Sequence, residues 1–283
     1  MIILDKNLID KYIVPLSPIP TDVRPGGKLS YPIDCILFDI YGTLFISDSG
    51  DIGVAKGKGH QQHHLKVLLE KYDLRIAPEK LLQTLYARIE EIHNELRKDG
   101  IDFPEVEIDK IWMDILKTRD RQFTQWFAIE FELIFNPVYP MPHLKEILSA
   151  LKHRGMRMGI ISNAQFFTPY LFEWFLGSDL NQLGMHPKLV ILSYQLKYAK
   201  PSAVLFELAV KRLSQWGVQP ASVLYIGNDM LNDIYPARKA GFKTALFAGD
   251  KRSLRLRQDD PRCAGITADL VITDLSQLLN YIK

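Results

Sequence analysis

An uninterrupted apolar run that ends in an aspartate constrains the fold of this chain more than any other stretch. Residues 35–38 read Cys-Ile-Leu-Phe and lead directly into Asp39, and a turn with Gly42 and Thr43 follows. Apolar side chains at every position predict a strand buried on both faces, as in parallel sheets. Such sheets bind ligands beyond the carboxyl ends of their strands, where a carboxylate can act as a nucleophile. Asp also starts turns and caps helices, so this segment alone leaves a structural role open.

From Pro140 onward, helix and strand patterns alternate along the chain. Short apolar runs predict buried strands at residues 158–161, 189–192, 223–226, 245–247 and 270–272. Amphipathic segments with apolar residues at three-to-four spacing separate these runs and predict helices. Together with the strand at 35–38, this alternation predicts a doubly wound, Rossmann-like α/β core, in which helices cover both faces of a parallel sheet.

Residues 60–135 have a helical pattern throughout. Four segments, which include Leu65, Leu85, Trp112 and Phe127, carry apolar residues at three-to-four spacing, and no strand pattern interrupts them. We therefore expect a helical cap inserted between the first two strands of the core.

The chain is accordingly divided into three parts. We expect an N-terminal extension at 1–33, a core at 34–47 and 141–283, and a helical cap at 48–140. Several prolines and a glycine pair disfavour regular structure in the extension. A glycine-rich loop that begins after Thr43 fits either a mobile cover over a site or a plain surface loop.

Composition excludes several classes of protein. The 283 residues carry a formal net charge of +2, which argues against a nucleic acid or another strongly charged partner. Cys35 and Cys263 are the only cysteines, which fits a reducing compartment and no disulfide framework. The sequence shows neither a signal-peptide pattern nor an apolar run of about 20 residues. We expect a cytoplasmic protein without membrane partners, and the sequence gives no prediction of its oligomeric state.

A histidine cluster and a basic run do not point to a particular function. His60, His63 and His64 lack acidic partners at metal-site spacing, so a solvated helix start is favoured over one of them reaching an active site. A basic run with Arg255 and Arg257 lacks the aromatic residues of a nucleic-acid surface, and we expect it in a solvated loop.

Polar side chains follow three of the predicted strands and precede one predicted helix. They are Asp39 and Thr43, then Ser162 and Asn163, then Lys200 before Pro201, and finally Asn228, Asp229 and Asp233. Right-handed crossovers place the carboxyl ends of parallel strands at one edge of a sheet, so we expect these groups to meet.

The order of these motifs resembles that of the haloacid dehalogenase superfamily of hydrolases across residues 34–283. The similarity is carried by Asp39-Ile40-Tyr41-Gly42-Thr43, Ser162-Asn163, Lys200-Pro201 and Gly227-Asn228-Asp229 with Asp233. The helical insertion resembles the cap of the superfamily's C1-type subgroup.

The resemblance implies a role for each catalytic group. Asp39 would attack the substrate and form a covalent aspartyl intermediate. Ser162 would donate a hydrogen bond to the group being transferred, and Lys200 would offset negative charge on Asp39 and the substrate. Thr43 would help to fix the loop. The expected substrate-binding residues are Tyr41, Gly42 and Asn163.

The resemblance also implies a Mg²⁺ ion, which prefers oxygen ligands and keeps several waters. The expected ligands are Asp39, the backbone carbonyl of Tyr41, Asn228, Asp229 and Asp233. Three carboxylates with Lys200 as the one visible cation would call for a divalent ion.

Tyr41 departs from the pattern of the family's phosphatases, which usually have a second aspartate there to protonate the leaving alcohol. A phenol with a pKa near 10 is a far weaker acid than a carboxyl group near 4. General acid catalysis contributes about 10²–10⁴-fold to a rate. Family dehalogenases commonly have tyrosine at this position, because a departing halide needs no proton.

These observations leave three functions open. We favour a Mg²⁺-dependent phosphohydrolase acting on a small phosphorylated metabolite, either with a good leaving group or with an acid supplied by the cap, for example a histidine. Tyr41 favours a 2-haloacid dehalogenase instead. The third alternative is a catalytically degenerate protein that binds a phosphorylated ligand.

Overall fold

The computed structural model describes residues 11–30, 32–47 and 59–282, so the glycine-rich loop after Ser47 lies almost wholly outside the described residues. The strands of this part of the chain are β1 (Gly26–Gly27), β2 (Cys35–Phe38), β3 (Phe45–Ser47), β4 (Val138–Pro140), β5 (Arg157–Ser162), β6 (Met185–Leu192), β7 (Val223–Gly227), β8 (Lys243–Phe247) and β9 (Leu270–Ile272). Its helices are α1 (Gly59–Lys71), α2 (Pro78–Lys98), α3 (Ile108–Leu116), α4 (Arg121–Phe135), α5 (Leu144–His153), α6 (Tyr170–Leu176), α7 (Ser193–Leu196), α8 (Val204–Ser214) and α9 (Tyr235–Lys239).

In the described residues, seven strands form a central sheet in the order β1-β9-β8-β7-β2-β5-β6. All neighbours are parallel except the short β1, which pairs antiparallel with β9. The apolar run at 35–38 is the middle of this sheet, where Phe38 pairs with Ile160 on one side and Ile226 on the other. The predicted doubly wound α/β core is confirmed.

Alternate residues of β2 enter two different hydrophobic cores. Ile36 and Phe38 belong to one core, which α5 covers, while Cys35 and Leu37 belong to the other, which α8 covers. All four side chains are fully buried. An apolar residue at every position is therefore required, because neither face of this strand meets water.

Helices α1 to α4, which we call the helical insertion, lie between β3 and β4. Its interior is aromatic: Trp112 makes edge-on contacts with Phe127 and Phe131, at ring-centroid distances of 4.9 and 4.8 Å. Strands β3 and β4 pair with each other as an antiparallel ribbon at the base of the insertion. No sequence pattern predicted this ribbon, because three-residue strands are too short for a periodic pattern.

The described part of the N-terminal segment touches both the core and the helical insertion. Its glycine pair forms β1 on the edge of the sheet, and Lys251 N donates to Ile19 O at 2.8 Å. Farther toward the N-terminus, the Tyr12 hydroxyl donates to Glu130 Oε2 of α4 at 2.7 Å. Among the described helices, none is both long enough and apolar enough to cross a membrane.

Candidate active site

Asp39 leaves the end of β2 with its backbone still held by the sheet, since Asp39 N donates to Ile226 O at 2.8 Å. Its Oδ1 accepts hydrogen bonds from Ser162 Oγ at 2.8 Å and from Lys200 Nζ at 2.7 Å. No hydrogen bond from the described residues reaches Oδ2. One carboxylate oxygen is thus fixed by the protein, and the other is available to a ligand.

Lys200 links two carboxylates. Its Nζ lies 2.7 Å from Asp39 Oδ1 and 2.5 Å from Asp233 Oδ1, and it also donates to the Tyr225 hydroxyl at 3.2 Å. Burial lowers the pKa of the Lys200 ammonium, but the carboxylates of Asp233 and Asp39 more than offset this and raise it above 10.5. Lys200 is therefore a permanent positive charge beside Asp39.

Asn163 sets the position of Lys200 through the backbone. Lys200 N donates to Asn163 Oδ1 at 2.7 Å, and Asn163 Nδ2 donates back to Lys200 O at 3.4 Å. The last residue of β5 is Ser162, and the residue after it makes the contact that orients Lys200. Asn163 also lines the cavity over Asp39, so its predicted contact with substrate stays a prediction.

The turn after Asp39 packs tightly against a distant loop. Thr43 Oγ1 donates to Asn228 Oδ1 at 3.0 Å, and Asn228 Nδ2 donates to Ser253 O at 2.6 Å. Gly42 has φ = +82°, and a Cβ there would lie 2.6 Å from Ser253 Cβ. Gly42 is required both by this left-handed backbone conformation and by the close approach of Ser253.

The two acids of the last motif have separate partners. Asp233 Oδ2 accepts from Asp229 N at 2.9 Å, while Asp229 accepts from Leu231 N and Asn232 N at 2.8 and 3.2 Å and so caps the turn that follows. Arg257 forms an ion pair with Asp229, in which Nη2 lies 2.6 Å from Oδ2. A Cβ at Gly227 would lie 2.3 Å from Asp233 Cγ, so glycine allows this carboxylate to pack against the end of β7.

A cavity of about 630 Å³ opens over Asp39 between the core and the helical insertion. The core contributes Asp39, Tyr41 and Lys200 to its wall, and the helical insertion contributes Glu132 and His93. The Tyr41 hydroxyl lies 2.9 Å from Thr168 Oγ1. Burial, with a further contribution from Glu132, raises the pKa of the Tyr41 phenol well above 10. Tyr41 is therefore no substitute for a carboxylic acid in proton transfer at neutral pH.

A model of the haloacid dehalogenase-like hydrolase family matches residues 33–241, which include the motifs described above. The chain belongs to this family. The chain is therefore a hydrolase, and the matched residues include Asp39, Ser162 and Lys200.

Curated relatives of this haloacid dehalogenase-like hydrolase are named as phosphatases. Glyceraldehyde 3-phosphate phosphatase from Methanocaldococcus jannaschii is 27% identical over 146 residues, 51% of this chain and 57% of that protein. The chain thus spans little more than half the length of that relative. Phosphoglycolate phosphatase from Haemophilus influenzae Rd is 25% identical over 258 residues, 87% of this chain and 96% of that protein.

Solved structures of haloacid dehalogenase-like proteins share the fold. A 2-haloacid dehalogenase from Pseudomonas syringae pv. tomato matches with a TM-score of 0.54 at 18% identity, covering 88% of this chain and 97% of its own. A HAD phosphatase from Thermococcus onnurineus matches with a TM-score of 0.51 at 17% identity, covering 88% and 97%. At these identities the similarity shows the fold alone.

The hydrolase brings the predicted groups to one edge of its sheet, but several important contacts were not predicted. Tyr225, buried in β7, bonds to Lys200, and Arg257 pairs with Asp229 instead of lying in a purely solvated loop. The described acids of the site therefore have two cations and not one. His63 and His64 are exposed and absent from the described cavity wall, where His93 lies instead; the side chain of His60 is outside the described residues.

A Mg²⁺ ion would find a restricted set of oxygens here. Among the described residues, no group of three or more His, Cys, Asp or Glu side chains converges as a metal site. Asp229 and Asp233 already accept several hydrogen bonds from Arg257, Lys200 and backbone amides, which leaves them poorly suited to direct ligation. The Asp39 carboxylate, the Tyr41 carbonyl and Asn228 Oδ1 would provide one charged and two neutral ligands. Because Mg²⁺ commonly binds through one or two carboxylates, waters and a substrate phosphate, this set fits the ion.

Proposed function

We propose that this hydrolase is a Mg²⁺-dependent phosphohydrolase that acts on a small phosphorylated molecule through a covalent intermediate on Asp39. The observation that carries the proposal is the asymmetry of the Asp39 carboxylate. Oδ1 is held by Ser162 and Lys200, while no described hydrogen bond reaches Oδ2, and the side chain lines a cavity. A carboxylate in this arrangement is suited to act as a nucleophile.

In the first step, Asp39 Oδ2 attacks the phosphorus atom, the bond to the leaving alcohol oxygen breaks, and an aspartyl phosphate forms. In the second step, water attacks the same phosphorus atom, the bond to Oδ2 breaks, and inorganic phosphate is released. Lys200 and Ser162 offset the negative charge at the phosphoryl group in both steps. Asn163 and Asp233 act by keeping Lys200 in position, since both bond to it.

Asp39, Asn228 and the Tyr41 carbonyl would hold Mg²⁺. The ion would supply positive charge to the phosphate oxygens. Asp233 and Asp229 would surround this site without binding the ion directly, because Lys200 and Arg257 hold them. The helical insertion would act as the cap that encloses the substrate.

Tyr41 keeps a second candidate open, the hydrolysis of a carbon–halogen bond. A halide needs no proton on departure, so a tyrosine at this position would not impair that reaction. The curated relatives are named as phosphatases, which supports phosphoryl transfer. The match to phosphoglycolate phosphatase covers 87% of this chain.

One set of assays separates these functions. Release of p-nitrophenol from p-nitrophenyl phosphate and of chloride from 2-chloropropionate is measured with Mg²⁺ and with EDTA, for the wild type and for Asp39→Asn. We expect p-nitrophenyl phosphate to be hydrolysed only with Mg²⁺ and only by the wild type, without release of chloride.

Chloride release that EDTA does not affect would overturn the proposal in favour of a dehalogenase. Binding of inorganic phosphate without turnover of either compound would instead favour a non-catalytic phosphate-binding protein. Activity of Asp39→Asn equal to that of the wild type would exclude a covalent intermediate on Asp39.

A further inference from the structure

Glu132 lies on α4 of the helical insertion and lines the same cavity as Asp39. Its side chain is half-buried and so accessible from that cavity. Asn136 Nδ2, one helical turn later, donates to Glu132 Oε1 at 3.0 Å. No hydrogen bond from the described residues reaches Oε2. One oxygen of Glu132 is thus held, and the other can contact a ligand in the cavity.

The neighbouring acid of α4 shows what a purely structural glutamate looks like in this protein. Glu130 is buried, and its two oxygens accept from Lys71, Tyr72 and Tyr12 at 2.6–2.7 Å. Its charge is neutralised by Lys71, and its oxygens are fully bonded. Glu132 has neither feature among the described residues, where no lysine or arginine pairs with it. Its position in the cavity wall is therefore not explained by packing.

The cavity wall offers several other titratable groups, and each is either a poor proton donor or held by other contacts. Burial also raises the pKa of Asp233 to about 7, but both of its oxygens are bonded, Oδ1 to Lys200 and Tyr225 and Oδ2 to Asp229 N. Asp39 is the nucleophile, and the pKa of Tyr41 lies well above 10. Burial lowers the pKa of His93 below 6.5, which leaves its imidazole neutral at pH 7. The exposed Glu90 pairs with Arg97 at 3.1 Å, and Glu105 accepts from Ser193 Oγ at 2.7 Å. Glu132 differs from all of these.

Burial raises the pKa of Glu132 to about 7, although the hydrogen bond from Asn136 lowers it. A carboxyl group with a pKa near the working pH is partly protonated and can both give and take a proton, as a general acid and base must. The cause is the enclosure of the carboxyl group between α4 and the core without a neighbouring cation.

We propose that Glu132 is the general acid of the reaction, the helical insertion supplying the carboxyl group that Tyr41 cannot replace. This inference rests on the proposed phosphohydrolase function. As Asp39 attacks phosphorus and the bond to the leaving oxygen breaks, the proton on Glu132 moves to that oxygen, and the alcohol departs neutral. Glu132, now a carboxylate, regains a proton from solvent before the next turnover, so its role is confined to the step in which the alcohol departs.

The test compares leaving groups of different basicity in the wild type and in Glu132→Gln, a substitution of nearly equal size. A p-nitrophenolate leaves readily without a proton, whereas an alkoxide does not. We expect kcat for an alkyl phosphate to fall about 10²-fold in Glu132→Gln, within the range of general acid catalysis, with little change for p-nitrophenyl phosphate. In the wild type, kcat for the alkyl phosphate should fall as pH rises through about 7, and Glu132→Gln should lack this fall.

Glu91→Gln is the matched control, because it removes an exposed carboxyl group of the helical insertion that does not line the cavity, and it should leave both rates unchanged. Equal losses of kcat for both substrates in Glu132→Gln, or no loss for the alkyl phosphate, would overturn the inference. If Glu132→Gln does not fold, the wild type alone decides: a steep decline of log kcat with the pKa of the leaving alcohol would contradict an acid catalyst. A wild type inactive on both substrates would overturn the proposed function itself, and that result is distinct from the others.

Discussion

Arg257 contacts Asp229 through two of its nitrogens, with Nη2 2.6 Å from Oδ2 and Nε 3.1 Å from Oδ1. This ion pair lies at the edge of the site, beside the loop that also holds Asn228 through Ser253. It neutralises a carboxylate that would otherwise add a third negative charge near Asp39. The affinity of the proposed Mg²⁺ site would therefore depend partly on a residue of the basic loop.

Replacing Arg257 should strengthen Mg²⁺ binding. Arg257→Gln leaves the Asp229 carboxylate without its cation, and the added negative potential attracts a divalent ion. We expect the Mg²⁺ concentration for half-maximal activity to decrease several-fold, measured by titrating the wild type and the variant with MgCl₂. Arg262→Gln is the control, because Arg262 pairs with the surface residue Asp260. An unchanged or weaker Mg²⁺ requirement in Arg257→Gln would contradict this reasoning.

Removing the charge of Lys200 should damage both activity and folding. Lys200→Met leaves the buried carboxylates of Asp39 and Asp233 without a cation, and breaking such a pair costs about 3–5 kcal/mol of unfolding free energy. Loss of a charge-stabilising donor should also lower kcat at least about 10²-fold. Urea unfolding at pH 7.5 and p-nitrophenyl phosphate assays measure these effects. The exposed Lys66→Met should show neither, and wild-type stability in Lys200→Met would refute the prediction.

Alanine substitutions at Gly42 and Gly100 distinguish the effect of backbone strain from the effect of steric contact. Both have positive φ, +82° and +87°, but a Cβ at Gly100 would meet open space, whereas one at Gly42 would collide with Ser253. Alanine at either position should lower the free energy of unfolding by about 1–3 kcal/mol, because a residue with a Cβ is strained at positive φ. We expect Gly42→Ala to be the less stable variant in urea unfolding, and to lose activity because the turn beside Asp39 shifts. Equal stability of the two variants would contradict the close packing at Gly42.

The charge of the cavity wall should determine which alcohols the enzyme accepts. The wall includes Glu90, Glu105 and Glu132, and its described residues contain Lys200 as the one lysine or arginine. Like charges brought together disfavour binding strongly. We expect kcat/KM to be higher for phosphoethanolamine and ethylene glycol monophosphate than for phosphoglycolate. These esters have nearly the same size and differ in the charge opposite the phosphate. A preference for phosphoglycolate would show that cations outside the described wall reach the substrate.

The positions of the strands that carry the site could be predicted because local pattern reflects burial. An apolar residue at all four positions of β2 is what two hydrophobic cores require. Boundaries were less accurate: β6 begins at Met185, four residues before the predicted Leu189, because part of it is exposed and breaks the apolar run. The ribbon of β3 and β4 was not predicted, because strands of three residues are too short to show a periodic pattern.

Contacts between distant segments were not predictable in the same way. Arg257 lies 28 residues after Asp229, and Glu132 lies 93 residues after Asp39, with no spacing rule connecting either pair. Arg257 had the pattern of a solvated basic run, and Glu132 that of an ordinary helical glutamate. Burial and neighbouring charge changed the meaning of both, and these depend on how the chain folds back on itself.

The sequence by itself determined the parallel sheet and the gathering of Asp39, Ser162, Lys200 and Asp233 at its edge. Strand periodicity is a local property, and right-handed crossovers allow few arrangements of the strands. Only the tertiary structure decided which cation pairs with which carboxylate and which side chains of the helical insertion line the cavity over Asp39. Those contacts arise from the packing of the insertion on the core and from the path of the loop after β8, which bring together residues far apart in the chain.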